Sequence, residues 1–327
     1  MQIDVVPKMK LGSVNNADMR NLILFFHILF HMAEKELIIL NWNNIGFIIC
    51  KPDAVYLNFE QEILSFLQQK GLEILACNYV TITPDLCRSL YWNENIDFTD
   101  KWWEFESEFF YLGESLCVLV QGTHEMPYKS VSDWIDRKLK GDNKPESARS
   151  ETIRSSFGAM NRIFNLFHSS DCTEATKREA SLFFSAEKLR GLDQLGTPCL
   201  VKPKKERNLD MVEVYFRIKR HCIQVSDLSP KVKRKYGDYL DDKIRQALSV
   251  SNSKKQVWLF KTLKEEYRLF YEDIHEDILL ETITDYKYFT KIDFNALFRS
   301  FVETGLKLTK WELCLLKTTL FFAPSNF

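Results

Sequence analysis

The sequence predicts an α+β fold: a ferredoxin-like βαββαβ sandwich followed by a mostly α-helical carboxy-terminal domain. Short, uninterrupted apolar runs alternate with amphipathic ones through the first half of the chain. Cap and turn residues stand between them where strands and helices must stop. Beyond about residue 211 the patterns are mainly helical. The length of 327 residues suits two domains, and 25 Phe against only 11 Gly favours packed structure over loops. A net charge of −1 gives no reason to expect nucleic-acid binding.

Residues 1–44 read as an arm and a helix, the helix running from about Asp18 to Glu36. Its apolar centre, Leu22 to Met32, is too short to cross a bilayer and has no cleavage pattern after it. No membrane partner is expected. His27 and His31 are spaced to share a metal but lack a third ligand nearby, so no metal site is assigned. The eight cysteines form no CxxC pair and read as small buried hydrophobes in a reducing, cytoplasmic setting.

Residues 45–192 form the α+β domain. Ile45 to Cys50 is a wholly apolar strand, ended by Lys51-Pro52-Asp53, which leaves Lys51 at its tip. Phe59 to Lys70 is an amphipathic helix stopped by Gly71, and Leu72 to Ile82 a second strand. Thr83-Pro84 opens a helix that carries Tyr91, and an aromatic segment to Tyr111 holds a further short helix. Leu116 to Val120 is the third strand, Pro127 to Lys140 a helix, and Ile163 to Phe167 the fourth strand. His168 then stands at a strand end, before Ser169-Ser170-Asp171, with Asp171 as cap of a helix from Cys172 to Phe184. Glu179 lies eleven residues past His168, within folding distance. Such a histidine can be an activated nucleophile. By themselves the two residues also fit a packed histidine and a solvated glutamate.

Residues 193–210 read as linker and 211–327 as the helical domain. Within it, Met211 to Ile218 alternates like a half-exposed strand. Ser229-Pro230 opens a helix to about Val250, and a long helix spans about Lys254 to Thr282. Asp293 caps a helix ending at Gly305, and Thr309 with Glu312 forms a capping box for the last helix.

From about Ile45 to Leu189 the chain resembles the nucleoside diphosphate kinases. Ile49-Cys50-Lys51-Pro52-Asp53, Phe66 to Gly71, Tyr91, Arg137 four residues before Gly141, Thr152-Ile153-Arg154, and Asn165-x-x-His168-x-Ser170-Asp171 with Glu179 carry the resemblance. It implies a nucleotide phosphotransferase that moves the γ-phosphate of an NTP to an NDP through a phosphohistidine on His168. Glu179 would orient the ring, with Ser170 bridging. Lys51, Tyr91, Arg137, Asn143, Arg154 and Asn165 would bind phosphates and sugar. It further implies Mg²⁺ held mainly by the nucleotide's phosphates, nucleoside tri- and diphosphates as partners, and a homo-oligomer.

The sequence departs from the family pattern at several places. Ser169 stands in place of glycine, tolerable only at negative φ. Asn143 replaces a phosphate-contacting threonine, and the segment from Tyr91 to Gly113 is longer and more aromatic than usual. Phe98 is the candidate for base stacking and Trp102 its rival. Two other functions fit: a specialised relative with a different acceptor or nucleotide, its specificity supplied by the carboxy-terminal domain, or a non-catalytic nucleotide-binding scaffold. An unaltered set of His168, Glu179, Lys51 and two arginines speaks against the scaffold.

Overall fold

The computed structural model describes residues 41–92, 97–144, 147, 149–192 and 210–323. The expected amino-terminal helix with His27 and His31, and all of the linker but Asp210, lie outside the described residues. Four strands form one antiparallel sheet in the order β2-β3-β1-β4: β1 (Ile45–Cys50), β2 (Glu73–Val80), β3 (Ser115–Gln121) and β4 (Phe167–Ser169). This is the ferredoxin-like order. β1 is buried along its whole length because helices cover both faces.

The helices that position the site are α1 (Pro52–Tyr56), α2 (Glu60–Gln69), α3 (Pro84–Leu90), α4 (Lys101–Phe110) and α5, which starts at Val131–Trp134 and widens into a π-turn over Ile135–Lys140. After them come α6 (Ile153–Phe157), α7 (Thr173–Phe183) and α8 (Ala186–Arg190). Alternate residues of each strand point to opposite faces. Ile48, Cys50, Val118 and Val120 therefore pack with α2 and α5, while Phe47, Ile49, Cys117 and Leu119 pack with α3 and α7. β1 lies against α5 closely enough that a Cβ on Gly46 would come within 2.8 Å of the Ile135 side chain.

The carboxy-terminal region is helical: α9 (Met211–Val225), α10 (Pro230–Ser249), α11 (Lys255–Ile274), α12 (Ile278–Thr284), α13 (Phe294–Glu303) and α14 (Lys310–Phe322). Its apolar side chains continue the core on the α2/α5 side of the sheet. The aromatic rings of α4 and α14 meet there, Phe105 edge-on to Phe321 at 5.1 Å. No helix among the described residues is long and apolar enough to cross a membrane.

Several sequence expectations are corrected. The expected strand at Met211 to Ile218 is helical. Asp210 caps it, and Val212, Tyr215, Phe216, Lys219, Cys222 and Ile223 make a buried helical stripe whose start mimics alternation. The long helix expected to Thr282 breaks at 275–277, where Asp277 caps α12. The helix expected from Pro127 starts at Val131, because Ser130 caps it and Pro127 lies in a turn. Cys172, not Asp171, caps α7, accepting from the Ala175 N–H at 3.5 Å. Cys77 is disulfide-bonded, contrary to the expectation of eight buried thiols, while Cys50, Cys87, Cys117, Cys172, Cys222 and Cys314 are free.

Candidate active site

The fourth strand is shifted from its expected place, and the shift builds the site. Residues 161–166 form a turn instead of strand, since the Asn161 side-chain oxygen accepts the N–H groups of Ile163 and Phe164 at 2.8 and 2.9 Å. Leu166 then takes φ +69°, a left-handed conformation costly for leucine. Asp53 and Lys51 hold it there: Asp53 Oδ2 accepts the Leu166 N–H at 3.0 Å, and the Lys51 N–H donates to the Leu166 carbonyl at 2.9 Å. β4 follows, with His168 opposite Ile49 on β1, two residues before Lys51. The Lys-Pro-Asp segment thus fixes the entry to the histidine strand. Ser169 lies in that strand and is not among the residues of positive φ, which meets the condition its Cβ imposes.

His168 is nearly enclosed. Its Nε2 lies 2.9 Å from Glu179 Oε2, which also accepts from the Ser170 hydroxyl at 2.8 Å. Ser170 therefore shares the carboxylate oxygen with the ring rather than standing between them. Glu179 Oε1 accepts from Arg178 at 2.9 Å, and Arg178 also donates to the Ser89 and Leu90 carbonyls at the end of α3. Arg178 went unnoticed in the sequence, where an arginine on an amphipathic helix carries no distinguishing signal. Through it, the carboxylate that holds His168 is tied to the helix end that presents Tyr91. The Tyr91 ring stands edge-on to His168, centroids 5.6 Å apart.

Lys51 is buried beside them. Its ammonium donates to Glu106 Oε1 at 2.8 Å, the Ile163 carbonyl at 3.0 Å and Asn165 Oδ1 at 3.1 Å. Tyr91 donates its hydroxyl proton to the same Glu106 oxygen at 2.9 Å. Glu106, on α4, was not singled out in the sequence. It had one available signal, because Trp103, Phe109 and Phe110 at helical spacing place it on the apolar stripe of α4. Asp53, fully buried, has its carboxyl pushed up to about 6 by desolvation, partly opposed by Lys51 and by the N–H groups it accepts.

Arg154 is also buried, donating to the carbonyls of Gly141 at 3.1 Å and Phe167 at 2.8 Å, while its Nε has no partner among the described residues. Desolvation lowers its pKa, with Tyr91, Glu106, Asp136 and Asp142 opposing. Gly141 holds φ +91°, and a Cβ there would meet Thr152 Oγ1 at 2.5 Å, so only glycine allows this approach. The remaining expected residues lie further out. Arg137 is 66% exposed and paired at 3.5 Å with Asp133 in its own helix. Asn143 is exposed. Phe98 packs edge-on against Trp103 at 4.8 Å with the Arg88 guanidinium over its ring, and Trp102 stands edge-on to Tyr91 at 5.7 Å.

A ferredoxin-like sheet carrying a carboxylate-held histidine, with a buried lysine, arginine and tyrosine beside it, fits a nucleotide phosphotransferase of the α+β class. The sequence profile of the nucleoside diphosphate kinase family matches residues 44–189. A nucleoside diphosphate kinase of Sulfurisphaera tokodaii is 31% identical over 143 residues, 44% of this chain and 90% of that protein. One of Methanobrevibacter smithii is 32% identical over 144 residues, 44% of this chain and 89% of that protein. Among solved structures, the apo nucleoside diphosphate kinase of Encephalitozoon cuniculi aligns at 28% identity and TM-score 0.37, covering 42% of this chain and 87% of its own. The chain belongs to the nucleoside diphosphate kinase family and is an enzyme of that kind.

Proposed function

We propose that the protein moves the γ-phosphate of a nucleoside triphosphate to a nucleoside diphosphate through a phosphorylated His168. The observation that carries this is the pairing of His168 Nε2 with Glu179 at 2.9 Å, in a chain of this family. A proton on Nε2, shared with the carboxylate, leaves the Nδ1 lone pair to attack, and Nδ1 has no partner among the described residues. In the first half-reaction Nδ1 bonds to the γ-phosphorus as its bond to the β,γ-bridging oxygen breaks, and the diphosphate departs. In the second, a terminal oxygen of the acceptor diphosphate attacks the phosphohistidine and the Nδ1–phosphorus bond breaks.

Positioning and charge neutralisation are what phosphoryl transfer asks of a protein. Lys51 and Arg154 would offset the phosphate charge, Tyr91 would donate to a phosphate oxygen, and Asn165 would reach the sugar. Arg137, exposed at the rim, would join on binding, as would Asn143. The carboxylates beside the ring, Glu106 and Glu179, are committed to Lys51, Tyr91, His168, Ser170 and Arg178, and no metal-holding cluster of His, Cys, Asp or Glu converges among the described residues. This arrangement fits Mg²⁺ held on the nucleotide's own phosphates, where it would supply further charge neutralisation. Phe98 and Trp102 remain the rival base-stacking positions.

Incubation with γ-labelled ATP should give acid-labile, alkali-stable label, discharged by added nucleoside diphosphates. His168→Ala should abolish it. Full labelling of that variant would overturn the assignment.

A further inference from the structure

The ammonium of Lys51 has three N–H donors, and all three are taken. Two of the acceptors belong to the turn before β4; the third is the Glu106 carboxylate. That same oxygen also takes the Tyr91 hydroxyl proton. Lys51 and Glu106 side chains are each only 2% exposed. A phosphate oxygen reaching this lysine and tyrosine meets a carboxylate already there. Both anions seek the same donors, and two of them side by side in a dry site repel.

We propose that Glu106 is a built-in stand-in for phosphate, and that a nucleoside polyphosphate enters only when this carboxylate withdraws. The proposal rests on the reading that Lys51 and Tyr91 hold phosphate. Glu106 makes a poorly satisfied occupant: its Oε2 is buried with no partner. A phosphate has more acceptor oxygens to offer, and the buried Arg154 guanidinium, within electrostatic reach of Tyr91 and Glu106, keeps an unpartnered Nε. The carboxylate is exchangeable in kind, and the helix that carries it has somewhere to go. An open cavity of about 900 Å³ runs along α4, lined by Trp103, Ser107 and Glu108 of that helix, by Tyr111 just after it, and by Lys310 and Trp311 of α14.

α4 is held inside the family segment by Tyr91, Lys51 and Phe164, and it is held further by a brace from outside that segment. Lys317 of α14 pairs with Glu108, and Phe105 packs edge-on against Phe321 and Phe322 at 5.1 and 6.4 Å. The same helix reaches the turn that supplies the other Lys51 acceptors: Asn161 donates to the hydroxyls of Thr318 and Thr319 at 3.1 and 3.4 Å. α14 therefore braces the occupant and the turn together, and the carboxy-terminal region sets how easily the anion site opens.

The test uses the full chain and inorganic pyrophosphate, which carries no nucleoside, in titration calorimetry. Glu106→Gln keeps the shape and removes the charge; it should bind pyrophosphate at least about tenfold more tightly than the unaltered protein. Lys317→Ala, with Glu106 intact, should fall between them. Equal affinity across all three, or no binding by any, overturns the proposal. If Glu106→Gln fails to fold because Lys51 loses its counter-charge, the order of Lys317→Ala and unaltered protein decides. Tightened pyrophosphate binding without labelling of His168 by ATP would sink the kinase reading and leave the anion gate standing.

Discussion

The two halves of the site lie on neighbouring strands of one sheet and are in opposite conditions. On the histidine side, every group around the ring is set for chemistry: Glu179 holds Nε2 and Ser170, and Arg178 holds Glu179. On the lysine side, one Lys51 donor and the Tyr91 hydroxyl are spent on a carboxylate, and the other two Lys51 donors on the turn before β4. The histidine side is built from β4 and α7, both inside the family match at residues 44–189. The lysine side is closed by α4, which is also inside that match but is braced by α14, outside it. A preorganised nucleophile and an obstructed anion site can thus coexist, because different elements supply them.

The sharpest way to break this comparison is to disable the prepared side. Glu179→Ala should slow phosphohistidine formation about 10²–10³-fold, the range expected when a positioned proton partner is lost. Rapid-quench labelling with ATP measures it, and a loss below tenfold would mean that the ring does not depend on its carboxylate. Arg178→Ala should cost less, about tenfold in the same assay, since Glu179 keeps its other contacts and only its second oxygen is released. Arg178→Lys should recover part of that loss. A variant at Arg178 that leaves the labelling rate unaltered would cut the link drawn between Glu179 and the α3 end.

How far these halves could be read from sequence differs for physical reasons. The lysine side announced its strand: six apolar residues ending in Lys51-Pro52-Asp53 can hardly be anything but a buried strand meeting a stop. Its obstruction is less visible, since Glu104 and Glu108 beside Glu106 suggest an exposed acidic face, against the aromatic spacing that places Glu106 inside. His168 was found but placed after its strand instead of within it. The Asn161 side chain supplies the turn's hydrogen bonds locally, and an apolar run such as Ile163 to Phe167 does not betray a residue at positive φ. The carboxy-terminal helices were mostly bounded correctly by their caps. α9 reads as a strand from sequence because its first residues, Val212, Val214, Phe216 and Ile218 against Glu213, Tyr215 and Arg217, alternate before the helical stripe through Lys219, Cys222 and Ile223 declares itself.

The smallest effect concerns Asp53, the residue both halves share, since it pins Leu166 before the histidine strand and lies two residues after Lys51 in sequence. Burial pushes its carboxyl up to about 6 from an ordinary 3.8. Between those values the folded protein holds this proton more tightly than the unfolded chain. Asp53's contribution to stability is therefore present in full below about pH 4 and declines as pH rises through about 6. Asparagine removes the titration and weakens the bond to the Leu166 N–H by a constant amount. Urea unfolding of Asp53→Asn and unaltered protein, compared at pH 4 and pH 7, should then show the variant gaining on the order of 1 kcal/mol relative to the unaltered chain as pH rises. A difference that stays flat, or moves the other way, would mean that Lys51 keeps the carboxyl ionised down to pH 4, as in the unfolded chain.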